Sequence, residues 1–420
     1  MDLEASEMAI RAASHRIGGC LLEKLLNADG RGYQGTTVDC GKGHGARFVE
    51  YRDKTLITVM SPVDVSRAYY YCERCGDGII PKDVALDIVD TGFSSGVRRM
   101  MGQVGGKEAF EDGQRDLEFL AGVPVTTKAV ERVSEAIGKQ IEKQNQREQK
   151  QIFSGKVVPF PSQSVIPVLY IAIDGTGVPV VKRETKGRKG KDKTGQAKTR
   201  EAKLGCVFTQ TTVDAEGYAV RDEGSTTYVG AIETAEEFGK RIYAEAVRRG
   251  MARAQKVVVL GDGAKYNWGI ADEHFPGATQ IVDLYHAREH LAKVAKLVHG
   301  SKGGEWLSAR RDELDDGDVE TITAALSRLR PKNKAVRKEI KTELDFFTRN
   351  AKRMRYAEFR SQGLFVGSGV VEAGCKIIMG QRLKLSGMHW TVKGANAIIA
   401  LRCCQMSDRW EEFWESRATG

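Results

Sequence analysis

The feature that most constrains this chain is a pair of apolar runs that each end in an acid. Val168 to Ile173 is followed directly by Asp174, and Lys256 to Leu260 is followed by Gly261 and Asp262. Short apolar runs bounded by turn residues are typical of buried strands. The sequence therefore predicts an α/β fold from about residue 165, with a carboxylate at the end of each of these strands.

The segments around these two runs continue the alternation. Leu204 to Thr212 and Thr226 to Val229 predict two strands in an antiparallel arrangement after the first, and Thr234 to Arg249 predicts an amphipathic helix. A further strand is predicted over Gln280 to Asp283. Residues 286–365 are predicted to be mainly helical, and this stretch is too long for a simple connection, which indicates an inserted helical subdomain.

Carboxylates at the ends of neighbouring strands suit phosphoryl chemistry. Mg²⁺ prefers hard oxygen ligands, and two such ions can activate an attacking oxygen and stabilise a leaving one. A site for two such ions needs a third acid. The best candidate is Glu372, and Ser368 is the predicted N-cap of its helix. A solvated surface glutamate is the alternative, because sequence spacing alone does not bring Glu372 close to Asp174.

Four candidate metal ligands flank the β-like stretch Thr55 to Val59. Two close Cys/His pairs separated by strands are typical of a zinc ribbon, and a glycine directly after CxxC is typical of its knuckle. We predict structural zinc, because four protein ligands leave no open position; reduced cysteines without metal are the alternative. The ligands are Cys40, His44, Cys72 and Cys75.

Residues 107–150 are predicted to be helical, with a break at Gly122-Val123-Pro124. The pattern resembles a helix-turn-helix, and an ordinary α-hairpin is the alternative. The inner face of the two helices is predicted to contain Leu117, Leu120, Val130 and Val133. A linker is predicted at about residues 145–165, where the sequence is first rich in Lys and Gln and then contains Pro159 and Pro161.

Positive charge is concentrated in one segment. The chain has a net charge of +9, and residues 182–203 alone contribute +7. Such a segment indicates a polyanionic partner, because neutralising phosphates releases counterions; a solvated loop is the alternative. The candidate DNA-binding cations within it are Lys186, Arg188, Lys189, Lys191 and Lys193.

Composition narrows the class of protein. The 420 residues suggest two or three domains, and 41% hydrophobic against 29% charged residues indicates a globular chain. No apolar run approaches the length of a membrane span. The N-terminus lacks an apolar signal core, so we expect a cytoplasmic protein whose eight cysteines stay reduced.

Together these motifs resemble a DDE transposase of the bacterial ISKra insertion-sequence family, within the Mutator-like group. The resemblance covers about residues 36–405. The motifs that carry it are Ile173-Asp174-Gly175-Thr176-Gly177-Val178-Pro179, Gly261-Asp262-Gly263-Ala264 with Trp268 and Phe275-Pro276, Asp283-Leu284-Tyr285-His286 with Glu289-His290-Leu291, and Ser368-Gly369-x-Val371-Glu372 with Arg382-Leu383-Lys384 and Gly387-Met388-x-Trp390. The first knuckle departs from the family, whose relatives often have CxxC where this chain has Cys40-Gly41-Lys42-Gly43-His44.

The resemblance implies an RNase H-like mixed-sheet catalytic core with an all-α insertion, preceded by a zinc-ribbon-like module and a helix-turn-helix-like region. It implies Mg²⁺- or Mn²⁺-dependent cleavage at mobile-element ends, strand transfer into target DNA, and a homodimer or larger assembly on nucleoid DNA. The implied metal-binding triad is Asp174, Asp262 and Glu372. Asp283 and His286 are implied to shape the site near the scissile phosphate, with a core histidine bonded to aspartate as the alternative.

Arg382 and Lys384 are further candidate DNA contacts, and Trp390 is a candidate for stacking on a base or for packing. The predicted divisions of the chain are an N-terminal helix at 1–35, the zinc-ribbon-like module at 36–92, the helical DNA-binding region at 93–150, the first part of the core at 165–290, the helical insertion at 291–365, the second part of the core at 366–405 and a tail at 406–420.

Other classes fit less well. A haloacid-dehalogenase-like phosphatase needs a nucleophilic aspartate two residues before Asp174, where this chain has Ala172. Gly175 and Gly177 are too few glycines to bind a dinucleotide pyrophosphate. The remaining rival is a non-catalytic zinc-containing DNA-binding regulator.

Overall fold

A computed structural model describes residues 2–156, 164–190 and 197–418. The chain forms two compact units, residues 1–137 and 138–420, and each is described by itself. Among the described residues, no helix combines the length and the apolar character needed to cross a lipid bilayer.

The first unit contains a four-stranded antiparallel sheet in the order β1-β2-β3-β4. Alternate residues of the third strand are buried, as expected when one face of a sheet is covered. Its strands are β1 (Thr37–Asp39), β2 (Gly45–Ile57), β3 (Pro62–Cys72) and β4 (Asp77–Ile79). Its helices are α1 (Leu3–Asn27), α2 (Pro81–Ala85), α3 (Ser95–Lys107), α4 (Phe110–Ala121) and the start of α5 (Thr127–Phe153).

The helices α3, α4 and α5 share an apolar core. The predicted inner-face residues Leu117, Val130 and Val133 belong to it, whereas the prediction for Leu120 is wrong, because its side chain is 64% exposed. Leu120 lies in the last turn of α4, which ends at Gly122 in a left-handed conformation. Val123, one residue after that turn, occupies the core instead.

The second unit is built on a five-stranded sheet in the order β11-β10-β5-β6-β9. β10 is parallel to its neighbours β11 and β5, and β6 is antiparallel to its neighbours β5 and β9. The strands of this unit, including the two-stranded sheet β7-β8, are β5 (Ile166–Pro179), β6 (Thr199–Gln210), β7 (Thr212–Val213), β8 (Ala219–Val220), β9 (Thr227–Ala231), β10 (Ala254–Gly261) and β11 (Thr279–Val282). The predicted mixed α/β architecture is confirmed.

Helices surround this sheet and fill the segment after β11. They are α6 (Ala235–Arg248), α7 (Lys265–His274), α8 (Leu284–His299), α9 (Gly304–Asp315), α10 (Val319–Arg328), α11 (Lys334–Asn350), α12 (Tyr356–Ser361), α13 (Gly369–Gly374), α14 (Gln381–Leu383), α15 (Val392–Met406) and α16 (Trp410–Ala418). A π-helical turn, Cys375–Gly380, joins α13 to α14. The five helices α8 to α12 occupy the stretch whose helical character the sequence predicts.

Two boundaries differ from prediction. α5 continues to Phe153, into the predicted linker, and α16 occupies much of the predicted tail. The polar sequence of α5 is compatible with a helix because charge pairs hold it: Glu142 contacts Arg241 and Glu148 contacts Arg248, each at 2.8 Å. Pro159 and Pro161 lie outside the described residues.

Candidate functional site

Asp174 and Asp262 are held at the same level on adjacent strands. Ile173 of β5 pairs in register with Gly261 of β10, and the two strands are parallel, so the acids are the next residues on each. Neighbouring strands lie about 4.8 Å apart. The sheet therefore brings together the two carboxylates that the sequence places at strand ends.

Local hydrogen bonds fix the orientation of both acids. The backbone N–H of Gly175 donates to Asp174 Oδ1 at 2.7 Å. The backbone N–H of Ala264 and the side-chain amide of Asn267 donate to Asp262 Oδ1, at 2.9 and 2.8 Å. One oxygen of each carboxylate is thus used in holding the side chain, and Oδ2 is the natural acceptor for a ligand.

The electrostatics of this pair favour a bound cation. Burial raises the pKa of Asp174, and the negative charge of Asp262 raises it further. The negative charge of Asp262 at this spacing disfavours ionisation of Asp174, and a cation between the two side chains removes that cost. The oxygen donors suit a hard ion such as Mg²⁺ or Mn²⁺.

Glu372 lies on the short helix α13, and Asp283 fixes the segment that leads to it. The backbone N–H of Asp283 donates to the carbonyl of Gly261 at 2.8 Å, which continues the parallel ladder beside Asp262. The Asp283 carboxylate in turn accepts the backbone N–H of Ser368. Asp283 is fully buried. It therefore joins the end of the sheet to the start of the Glu372 helix.

Ser368 occupies the predicted N-cap position but makes no capping hydrogen bond with its side chain. Its hydroxyl donates to Glu372 Oε1 at 3.3 Å instead. Because Asp283 holds the backbone of Ser368 and the Ser368 hydroxyl holds Glu372, the carboxylate is positioned by two successive contacts. The π-helical turn that begins at Cys375 follows directly, and such turns are frequent at functional sites.

His286 completes a second cluster. Its Nδ1 lies 3.7 Å from Asp283 Oδ1, and ligand atoms of Asp283, His286 and Glu372 all lie within 4.8 Å of one another. Asp283 raises the pKa of His286 to about 9, and Asp262 contributes to that rise. Burial alone would raise the pKa of Asp283, but contacts from His286 and Ser368 hold it below its usual value. The pair is therefore ionised at neutral pH.

The five predicted catalytic residues thus form two neighbouring groups, and among the described residues the ligand atoms of Glu372 group with Asp283 and His286, not with Asp174 and Asp262. Asp174 and Asp262 occupy adjacent strand ends, and Asp283, His286 and Glu372 form the cluster beside them. His286 acts electrostatically on Asp174, and Asp262 acts on His286. Charge couples the groups, and the hydrogen bond from Asp283 to Gly261 connects them through the backbone.

Sequence reasoning missed three side chains next to Asp174. A Cβ added to Gly175 would lie 2.9 Å from Glu201 Oε1 and 3.0 Å from the Tyr266 hydroxyl, so glycine is needed for their close approach. The Cys375 thiol contacts Asp174, and burial raises the pKa of that thiol. The only available signal was Gly175 itself, since the β5–β6 register that brings Glu201 opposite Gly177 is not readable from one strand.

The four predicted metal ligands of the first unit come together. Ligand atoms of all four lie within 4.8 Å of one another, with Cys40 Sγ and Cys75 Sγ 3.7 Å apart. Zn–S bonds of about 2.3 Å at a tetrahedral angle require a sulfur separation of about 3.8 Å. This Cys₃His group could hold zinc. Its members are Cys40, His44, Cys72 and Cys75.

Glycines shape both knuckles of this group. Gly41 and Gly43 in the first and Gly76 in the second have left-handed backbone conformations. The backbone N–H of Cys40 donates to the His44 carbonyl at 2.8 Å, which closes the first knuckle. The looser Cys-x₃-His spacing therefore forms a turn as tight as the CxxC pair.

The cationic segment lines a groove of about 640 Å³ in the second unit. Lys186, Arg188 and Lys189 are exposed, whereas Lys191 and Lys193 lie outside the described residues. Lys384 is exposed, and its ammonium donates to the Thr176 hydroxyl, two residues from Asp174. The cationic lining of the groove is Lys182, Arg183, Lys186, Arg188 and Lys198, with His389 beside them.

Burial argues against the predicted DNA contact at Arg382, and for Trp390 it favours packing, the alternative to stacking on a base. Arg382 is fully buried, and its guanidinium lies over the Trp390 ring at 5.2 Å. Trp390 is buried as well, and its indole N–H donates to the Leu383 carbonyl at 3.0 Å. Backbone pairing with Val180 fixes the tryptophan segment along the end of β5. Both side chains therefore pack inside the second unit and are not exposed as DNA contacts would be.

Neither a scan against protein-family models nor a search of curated proteins found a match to this chain.

His286 should remain protonated at pH 7.5 and titrate near pH 9 in metal-free buffer. Because its folded pKa lies above the unfolded value near 6.5, its contribution to stability is full below that value and is lost as the pH rises through about 9. Asp283→Asn should move the midpoint down toward about 6.5. NMR of the imidazole resonances measures this, with exposed Asp272→Asn as the control. A wild-type midpoint below pH 7 would refute the ion pair.

Proposed function

We propose that this protein is a DDE-type DNA transposase that cleaves mobile-element ends and transfers the strand into target DNA. The observation that carries the proposal is the matched position of Asp174 and Asp262 on adjacent parallel strands, with Glu372 connected through Ser368 to Asp283, whose backbone N–H bonds the strand end next to Asp262. Three acids supported in this way are suited to holding divalent cations during phosphodiester chemistry.

The sheet supports an RNase H-like core. Taken in chain order, its strands run antiparallel through β5, β6 and β9, and β10 and β11 then add in parallel on the other side of β5. The helices α8 to α12, between β11 and the Glu372 helix, correspond to the all-α insertion that the family resemblance implies.

The oxygen donors of Asp174, Asp262 and Glu372 are of the kind that Mg²⁺ or Mn²⁺ prefers. We propose that these three acids would hold a pair of such ions, which would supply Lewis acidity at the attacking and leaving oxygens. The protonated His286 is a fixed positive charge for orienting a phosphate oxygen, and Asp283 keeps that imidazole in place. The protein's part in catalysis is positioning and charge neutralisation.

The cationic groove supports DNA as the substrate. After Asp174, β5 continues to Pro179, and the next residue, Val180, lines the groove. At about 3.3 Å per residue, the six-residue path from Asp174 to Val180 spans about 20 Å. A polynucleotide bound in the groove would therefore reach the acids, with Lys384 along the way. Bacterial chromosomal DNA, in the cytoplasm, is the expected partner.

We further propose that the Cys₃His group holds structural zinc. The four ligand atoms use all tetrahedral positions, and the group is surrounded by a small core of Ala46, Ala68 and Tyr70 that metal binding would reinforce. This module also favours the second candidate function, a DNA-binding regulator without catalysis.

Asp262→Asn should abolish metal-dependent nicking and retain DNA binding, because it removes an anionic ligand and keeps the hydrogen-bonding shape. The substrate is a supercoiled plasmid carrying the genomic DNA that flanks the coding sequence, incubated with Mg²⁺ or Mn²⁺. Asp312→Asn, at an exposed acid of α9, is the matched control. Binding without nicking by the wild type favours the regulator, and equal nicking by both variants contradicts the assigned triad.

Protein purified without chelator should contain one zinc per chain. Cys72→Ser should lose most of this zinc and lower the thermal midpoint of the first unit, whereas Cys20→Ser, at an exposed cysteine, should change neither. Elemental analysis and calorimetry give both quantities. Wild-type protein that contains no zinc, together with a Cys72→Ser melting profile equal to that of the wild type, would contradict the zinc assignment.

Replacing Lys186, Arg188 and Lys189 by alanine should weaken DNA binding at all sequences. Each lost phosphate contact lowers the magnitude of the slope of log K against log salt by about 0.9, so the three together lower it by up to about 3. Fluorescence anisotropy with labelled duplex DNA measures the slope. An unchanged slope would show that the segment is a solvated loop and does not contact DNA. The control changes the exposed residues Lys332, Lys334 and Lys338.

A further inference from the structure

The helix α1 carries an apolar stripe that no described residue of the first unit covers. Five large aliphatic side chains project from one side of it, and each is more than half exposed. At 100° per residue they fall within an arc of about 80°, and they extend along about 33 Å of helix. The members of the α1 stripe are Leu3 (70% exposed), Ile10 (67%), Ile17 (63%), Leu21 (58%) and Leu25 (73%).

This stripe is separate from the face by which α1 packs on its own unit. Leu22 and Leu26 pack against a core of Leu56, Val63 and neighbouring residues. A Cβ added to Gly19 would lie 1.8 Å from the Ser61 hydroxyl, which shows how closely the helix approaches the end of the hairpin. A surface helix normally has one apolar face directed at its core. α1 has two apolar faces, and the second is available to bind a partner.

We propose that the α1 stripe is a dimerisation surface that binds the same stripe of a second copy of this chain. Leu3, Ile10 and Ile17 repeat at intervals of seven, as one of the two apolar positions of a helix-pairing heptad does, and Leu21 occupies the second position in the last heptad. At roughly 100 Å² of apolar surface per large aliphatic side chain, the stripe covers about 500 Å². Two copies bury about 1,000 Å², which reaches the threshold for a specific interface.

The charges of α1 give the direction of pairing. The first turn contains Glu4 and the last turn contains Lys24. An antiparallel arrangement with Leu3 opposite Leu25 of the second copy places Glu4 opposite Lys24, and it also opposes the two helix dipoles favourably. A parallel arrangement would place like charges together. In the antiparallel register, Ser14 lies at the two-fold axis, where a small exposed side chain allows close approach.

The first test is the mass of the full chain in solution, without DNA or added Mg²⁺. Wild type should sediment at twice the 46.3 kDa chain mass over a concentration series. Ile10→Lys combined with Ile17→Lys should raise the dimer dissociation constant at least about 100-fold, since two buried aliphatics are replaced by charges. Both positions are exposed in the single chain, so folding is retained.

Ala12→Lys is the matched control, because it adds a lysine to an exposed position on the opposite side of α1. It should leave the dimer intact. A wild-type monomer at all concentrations overturns the proposal, and so does equal association of the double variant and Ala12→Lys. Neither result bears on the nicking assay, so the two proposals fail independently.

Cross-linking tests the direction. Ser14→Cys should give a covalent dimer with a short thiol cross-linker, whereas the exposed Cys20 of the wild type should not, because antiparallel pairing separates the two copies of Cys20 by about 18 Å along the axis. Efficient linkage through Cys20, without linkage through Ser14→Cys, would contradict the antiparallel interface.

Discussion

The arrangement of the candidate site depends on the two hydrogen bonds that the Asp283 carboxylate accepts from the backbone. One oxygen takes the N–H of His286, and the other takes the N–H of Ser368. Residues 284 and 368 are separated by the helical stretch α8 to α12, so chain connectivity alone does not determine where Glu372 lies. A fully buried carboxylate is costly unless its oxygens are satisfied, and here the satisfaction comes from the segments that carry the other site residues.

The same region concentrates charge that the protein only partly balances. His286 offsets Asp283, and both remain ionised near neutral pH. Among the residues that the structure describes, Asp174 has no such ion-pair partner, and its raised pKa reflects burial and the proximity of Asp262. Divalent cations would complete the balance, and the proposed function rests on their binding here.

The sequence predicted the parts of the fold that rest on local pattern. The acid-ended runs became β5 and β10, and the Cys/His pairs converged because their spacing matches two short knuckles.

Features that rest on long-range packing were not predictable. The burial of Arg382 under Trp390 depends on how the segment after the π-helical turn lies along β5, and nothing local distinguishes a packed arginine from a DNA-binding one. The exposed face of α1 was missed because the sequence of a helix does not show which of its sides the rest of the fold covers.

The central claim is that Asp174 and Asp262 share divalent cations with Glu372. Crystals soaked in Mn²⁺ and measured for anomalous scattering test it most directly. We expect anomalous peaks within about 2.0–2.3 Å of carboxylate oxygens from both aspartates, with Glu372 as a further ligand of the bound ions. Peaks confined to other surfaces of the protein, with both aspartates free of metal, would contradict it.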